Sequence, residues 1–321
     1  MKDYILKSCQ DGSVITVNDL QKELLVIMDE IHRICVKNEI EYALIAGSAL
    51  GICNYHGFIP WDDDMDICVL RKDWDRFIRA LSTDLSDEFY FQCFEVDSRY
   101  NVLIPSMKIR KKHTYVQEVN YLLENRCDGD GIFIDVVVYD NVADSRLADQ
   151  LWRTPIRFWM PILVYLDNLG FQAVWIKKRI LSIAEQYGRR YPDSRYISQT
   201  IAVVWEKWLR EPIFLKEDVL PFRLYEFEGR QYYSYNHLEK VMKEWYGSNC
   251  LTTWNGREWI DPLPEKYRIP KHVKDISLDR DTPDLRAKNK GRNLVRGITL
   301  AVSGIVILLM IFKRKRDNNE D

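Results

Sequence analysis

Four carboxylates fall within five positions at Asp62-Asp63-Asp64-Met65-Asp66, walled by Trp61 on one side and Ile67 on the other. Like charges this close repel, and apolar neighbours deny them a purely solvated setting, so something positive has to sit among them. The residues that follow, Ile67-Cys68-Val69-Leu70, read as a buried strand. Residues two apart on a strand share a face, which sets Asp64 beside Asp66 and brings in Asp62 if the strand extends back. Hard oxygen donors of this kind suit Mg²⁺ or Mn²⁺. A calcium loop of the EF-hand type fails on spacing. Counted from Asp62, the positions that need Gly and Glu hold Ile67 and Asp73.

A further acid stands alone in apolar sequence, Asp135 within Ile132-Phe133-Ile134-Asp135-Val136-Val137-Val138. An ionised carboxylate there needs a partner. That partner is either a metal shared with the first group or a base such as Lys108 or Arg110. If the Asp135 strand lies beside the one beginning at Asp64, three carboxylates converge in the manner that holds two divalent ions for in-line phosphoryl transfer. Upstream, the apolar run 42–46 ends at Gly47-Ser48. Backbone N–H groups and a hydroxyl at a helix start make a phosphate cradle.

Around these segments sheet and helix alternate. Leu20, Leu24, Ile27, Ile31 and Ile34 recur at helical spacing behind Thr16 and Asn18, which predicts a helix over 17–37. Strands are predicted at 42–46, 66–70, 89–95, 107–110 and 132–139, with helices opening at 49–53 and running over 72–81. From about 145 to 208 the pattern turns helical and aromatic, with Pro155, Pro161 and Gly170 as breakers. Residues 221–247 read as a hairpin followed by a helix over 237–246. The chain is therefore expected to be α/β (α+β), with a mixed-sheet catalytic core over 1–145 and a helical, aromatic accessory lobe over 146–270. A polar linker over 271–296, an uncharged segment over 297–312 and a charged tail over 313–321 complete it.

Composition narrows the function. With 46 Lys+Arg against 48 Asp+Glu the net charge is -2, which supplies no general field for nucleic acid. The seven cysteines are scattered without C-x-x-C spacing, as expected of reduced thiols rather than a disulfide framework or a zinc site. His32, His113, His237 and His272 show no zinc-binding spacing either. The start of the chain lacks the basic and apolar regions of a cleaved secretory signal.

The segment 297–312, GITLAVSGIVILLMIF, has no charge and is followed by Lys313-Arg314-Lys315-Arg316. It would rise about 24 Å as a helix against a bilayer core of about 30 Å, so as a single-pass anchor it needs Arg296 and Lys313 to snorkel. Five basic residues precede it (Arg286, Lys288, Lys290, Arg292, Arg296), which leans weakly towards a cytoplasmic catalytic domain. Aromatic residues make up 12% of the chain, and Trp152, Phe158, Trp159 and Trp175 fall in the helical lobe. Such rings serve either as core or as a cage for a trimethylammonium group.

Together, the Gly-Ser turn, the paired-acid strand and a third acid on a neighbouring strand resemble the nucleotidyltransferase-like fold. More closely, GSALGICNYHGFIPWDDDMDI with GIFIDVVVYD resembles the LicD family, which includes the fukutin-related proteins. The resemblance is specific over about 40–140 and vaguer to about 270. It implies transfer of a phosphorylated alcohol, such as phosphocholine or ribitol phosphate, from a CDP-linked donor to a hydroxyl of a cell-surface glycan or glycolipid, as in lipopolysaccharide or teichoic acid biosynthesis, with release of CMP. Carried over by position, Asp64, Asp66 and Asp135 become metal-binding and catalytic acids, and Asp62 or Asp135 takes the acceptor proton. Gly47, Ser48, Trp61, Asp63, Lys108 and Arg110 become substrate-binding. The family generally has a basic residue just before the variable pair that precedes Gly57, and here that position is Asn54. Two other readings remain, a nucleotidyltransferase moving NMP from an NTP and a catalytically silent membrane-tethered scaffold.

Overall fold

A computed structural model of the chain describes residues 4–103, 106–118, 130–202, 212–254, 257–258 and 272–280. In chain order its elements are β1 (Ile5–Ser8), β2 (Val14–Thr16), α1 (Val17–Lys37), β3 (Tyr42–Leu44), α2 (Ala46–Tyr55), β4 (Asp66–Leu70), α3 (Trp74–Asp84), β5 (Phe89–Cys93), β6 (Met107–Lys111), β7 (Tyr115–Glu118) and β8 (Phe133–Val142). The chain continues through α4 (Arg146–Asn168), α5 (Val174–Arg190), β9 (Tyr196–Gln199), β10 (Phe214–Leu215), α6 (Lys216–Val219), β11 (Arg223–Phe227), β12 (Arg230–Ser234), α7 (Leu238–Tyr246), β13 (Thr253–Trp254), β14 (Arg257–Glu258) and β15 (Val273–Ser277).

β8 is the axis of a mixed sheet. β4 runs parallel along one edge, from Asp66 opposite Asp135 to Leu70 opposite Tyr139, and β3 lies antiparallel beyond it. The other edge is shared. β6 pairs with the first part of β8 and carries β5, while β9 pairs with the last part and carries β10. Nearly every β8 side chain is buried, as its unbroken apolar sequence requires of a strand covered on both faces.

Helix α1 covers one face. Thr16 accepts a hydrogen bond from the Asp19 N–H while the Asp19 carboxylate accepts from the Thr16 N–H, so the helix starts in a closed cap. Leu20, Leu24, Ile27, Ile31 and Ile34 are all buried in the main core, as their spacing predicts.

The expected accessory lobe over 146–270 divides. Helices α4 and α5 form their own apolar core from Ile156, Met160, Leu163, Ile176, Ile180 and neighbours. Phe214, Phe227, Tyr232, Tyr235, Leu238 and Met242 instead pack into the main core with the sheet. The helical expectation to 208 also fails at β9, a four-residue strand too short to imprint a period.

The expected linker begins later than 271, because β15 pairs antiparallel with β7. Lys7 fastens it, donating to the Asp275 carboxylate at 2.7 Å and to the Ile276 carbonyl at 2.9 Å. Among the described residues no helix is long and apolar enough to cross a membrane. The segment 297–312, on which the anchor expectation rests, lies outside the described residues, as do the rest of 281–321 and Cys127.

Candidate active site

The site forms where β3, β4 and β8 meet the loop before β4. The chain leaves β3 through a sharp turn into α2, with Ala46 in the left-handed region at φ 49°. That conformation costs a residue bearing a Cβ about 1–2 kcal/mol. The turn brings Gly47 against the loop so closely that an added Cβ would stand 2.7 Å from a carboxylate oxygen of Asp62. Only a glycine lets the acid lie against the start of α2. No side chain caps α2, so its first N–H groups remain available to an anion. Ser48 is buried and its hydroxyl accepts a hydrogen bond from the Asp66 N–H at 3.0 Å. It fixes the register of the acid strand against the turn, a role the cradle reading did not foresee.

Asp66 and Asp135 lie opposite one another on adjacent parallel strands, a spacing of about 4.8 Å between backbones. Asp64 and Asp62 precede them on the incoming loop. This enclosed group holds its protons tightly. Burial, then the charges of Asp64 and Asp63, push Asp62 well above the usual carboxyl range. Burial, then Asp64 and Asp135, do the same to Asp66. Asp64 is also raised by burial, with the nearby His272 pulling it back. Asp135 is raised to about 6 by burial, partly offset by Lys108 and reinforced by Glu118. The cluster remains open to a ligand, since the Asp64 side chain keeps 27% of its surface exposed.

Of the two partners the sequence allows Asp135, the basic one is present. Asp135 neighbours the acid group, and Lys108, directly opposite it on β6, places Nζ 2.9 Å from Asp135 Oδ1 and 3.2 Å from Glu118 Oε2. Lys108 is fully buried, with its ammonium 3.3 Å from the centre of the Phe133 ring. Its charge meets two carboxylates, so in this structure it holds Asp135 and Glu118. Asp135 Oδ1 nevertheless makes no hydrogen bond of good geometry.

Three other expected substrate ligands are turned elsewhere. Asp63 accepts from the backbone N–H groups of His272 and Val273 at 3.1 and 2.9 Å, which anchors the start of β15. Arg110 donates to Gln92 Oε1 at 2.7 Å and to the Gly131 carbonyl at 2.6 Å, bracing the entry to β8. Trp61 packs edge-on against Tyr4 and Tyr55. Nor do the lobe aromatics make a box. Trp152 leans on Tyr187, while Phe158, Trp159 and Trp175 meet edge to face. Asn54, in the position where the family has a basic residue, leaves its Nδ2 buried without a hydrogen-bond partner.

His272 escaped the sequence reading. Its Nδ1 lies 3.0 Å from Asp63 and 3.2 Å from Asp64. Burial alone would lower its pKa, but the charges of Asp64 and Asp63 raise it to about 10, so it sits at the cluster as a cation. No spacing signal links a residue to a partner 209 positions away. Glu118 was equally invisible, because β7 is paired at the site with the distant β15, where Val273 lies opposite Glu118.

As the side chains stand, no three His, Cys, Asp or Glu among the described residues close into a metal cage. Asp63 is turned to His272 and Asp135 to Lys108. The donor set still fits a hard divalent ion, because buried oxygens with raised affinity for protons are oxygens short of a cation.

A glycine turn feeding an uncapped helix, with acids on neighbouring parallel strands, has the donors that phosphoryl-transfer chemistry requires. Residues 39–153 match the family model described as LicD/FKTN/FKRP, nucleotidyltransferase domain, and that part of the chain is similar to the family. Over 290 residues it is 23% identical to the lipopolysaccharide cholinephosphotransferase LicD of Haemophilus influenzae, spanning 82% of this chain and 98% of that protein. Shorter matches of 36% over 58 residues and 38% over 50 residues reach uncharacterized proteins of Rickettsia typhi and Rickettsia prowazekii. Those cover 18% and 16% of this chain and 19% of each relative.

Proposed function

We propose that the chain transfers a phosphorylated alcohol, phosphocholine first among the candidates, from a CDP-linked donor to a hydroxyl of lipopolysaccharide or a related glycan. The alignment of Asp66 with Asp135 carries this reading, supported by the activity named for the Haemophilus relative. Mg²⁺ or Mn²⁺ held by Asp64, Asp66 and Asp135 would neutralise charge building on the donor diphosphate. The uncapped start of α2, at Gly47 and Ser48, receives the donor phosphates through backbone N–H groups. Asp135, steered by Lys108 and with its pKa near 6, accepts the proton of the attacking hydroxyl. Asp62 is the other candidate for that role. The bond from phosphorus to the acceptor oxygen forms, the bond to the CMP oxygen breaks, and CMP departs.

The test is product analysis. With Mg²⁺ and CDP-choline, release of CMP that stops on chelation supports the reading. Release of pyrophosphate from an NTP would show NMP transfer instead, and neither product across a panel of donors would leave only the scaffold.

A further inference from the structure

Helix α4 has two apolar faces and only one is covered. Ile156, Met160 and Leu163 point into the lobe core. Leu147, Leu151, Phe158 and Tyr165 recur at spacings that hold them within about 40° of one another around the helix. They are 71%, 64%, 63% and 48% exposed. Phe171 and Trp175, at the turn into α5, are also more than half exposed. Large apolar side chains seldom gather in the open this way without a partner.

We infer that this α4–α5 face docks on the surface of a lipid bilayer bearing anionic headgroups. Charge complementarity favours that occupant. Arg146, Lys178, Arg179, Arg189 and Arg190 are exposed on the same two helices, against Glu185 as their one exposed acid. The acids of α4 turn inward, Asp149 to Arg153 and Asp167 to Asn101. Trp and Tyr at the rim suit a headgroup boundary, where a ring can lie in the apolar layer with its polar edge in water. The same chain ends in an uncharged run, 297–312, with basic residues after it, so two apolar-and-basic elements would meet one surface.

The topology also aims the site. Asn101 donates to Asp167 near the end of α4 at 2.9 Å, and Lys177 of α5 reaches the Tyr100 carbonyl at 3.4 Å. Tyr100 in turn feels the charge of Asp135. The α4–α5 turn is thus tied to the loop after β5, and α5 packs on β8, the strand that carries Asp135, so docking would hold that strand close to the lipid. This surface stands whether or not the transfer reading holds.

The experiment uses the full chain with phosphatidylethanolamine–phosphatidylglycerol vesicles doped with a diazirine-bearing phospholipid, followed by irradiation and peptide mapping. Adducts are expected on peptides containing Phe158, Tyr165, Phe171 and Trp175. In a full-length Phe158→Glu, Trp175→Glu variant with an unchanged circular dichroism spectrum, those adducts should fall several-fold while any on 297–312 persist. Adducts confined to 297–312, no adducts at all, or equal labelling of α4–α5 in the variant would overturn the inference. So would a lipid-independent dimer in sedimentation that shields the stripe, since the occupant would then be a second copy.

Discussion

Two aspartates on β8 stand five residues apart and are both buried, yet they live under opposite conditions. Asp140 is met by the Arg71 guanidinium in two bonds of 2.6 and 2.9 Å, and Thr200 completes the set. Asp135 shares one ammonium with Glu118 and faces Asp66 and Asp64 across the strands. The first is a closed account of charge. The second is a surplus of negative charge that the protein alone does not balance. An acid inside an apolar strand therefore says little by itself, and the count of like and unlike charges around it separates a structural pair from a site.

Substitutions can break that contrast. Asp64→Asn or Asp66→Asn is expected to lower turnover at least about 1,000-fold. The thermal midpoint should be equal to or above the parent's, because a repelling charge is removed. A clear fall in midpoint would mean these acids are structural after all. Asp140→Ala should do the reverse. It strands a buried guanidinium, which costs about 3–5 kcal/mol in urea unfolding, while turnover per folded molecule persists.

Two glycines sharpen the same line. A Cβ at Gly51 would stand 2.3 Å from the Gly57 carbonyl, a backbone atom, so Gly51→Ala should cost about 1–3 kcal/mol of stability. At Gly47 the obstacle is the movable Asp62 carboxylate at 2.7 Å, and Gly47→Ala should show mainly in turnover.

The smallest effect concerns pH. With its pKa raised to about 6, Asp135 favours the protonated form in the folded chain. Its contribution to stability is fully present below the ordinary carboxyl range near 4 and is lost as pH rises through about 6. The gain in thermal midpoint from Mg²⁺, which competes with that proton, should be larger at about pH 8 than at about pH 5. Turnover should fall as pH drops through about 6, since a protonated Asp135 accepts no proton. An Mg²⁺ gain independent of pH would detach the ion from this acid.

Local signals were written plainly in the chain. The buried stripe of α1, the span of β4, the start of β8 and the helix α7 follow from spacing and composition, because the helices bury one face at helical period and the strands are apolar runs buried on both faces. The acids at 62, 64, 66 and 135 were legible because charge in apolar surroundings is conspicuous. Partner choice was not. Within Asp62-Asp63-Asp64, nothing distinguishes the middle residue, yet its side chain turns to the backbone of His272 and Val273. Lys108 and Arg110 look equivalent on one strand face, but one meets Asp135 and the other the Gly131 carbonyl. Such pairings depend on which distant segment arrives, and β1, β2, β9 and β15 were too short to announce themselves.

The bond between Asp63 and the backbone of residues 272 and 273 has a consequence for biosynthesis. The acidic loop is translated early, but the segment that fastens its middle carboxylate comes 209 residues later. A nascent chain on the ribosome can assemble sheet and helices while this loop stays unlatched, and a product terminated just short of His272 would be a folded body with an unfinished working part. Competence is conferred by a segment that emerges long after the acids it serves.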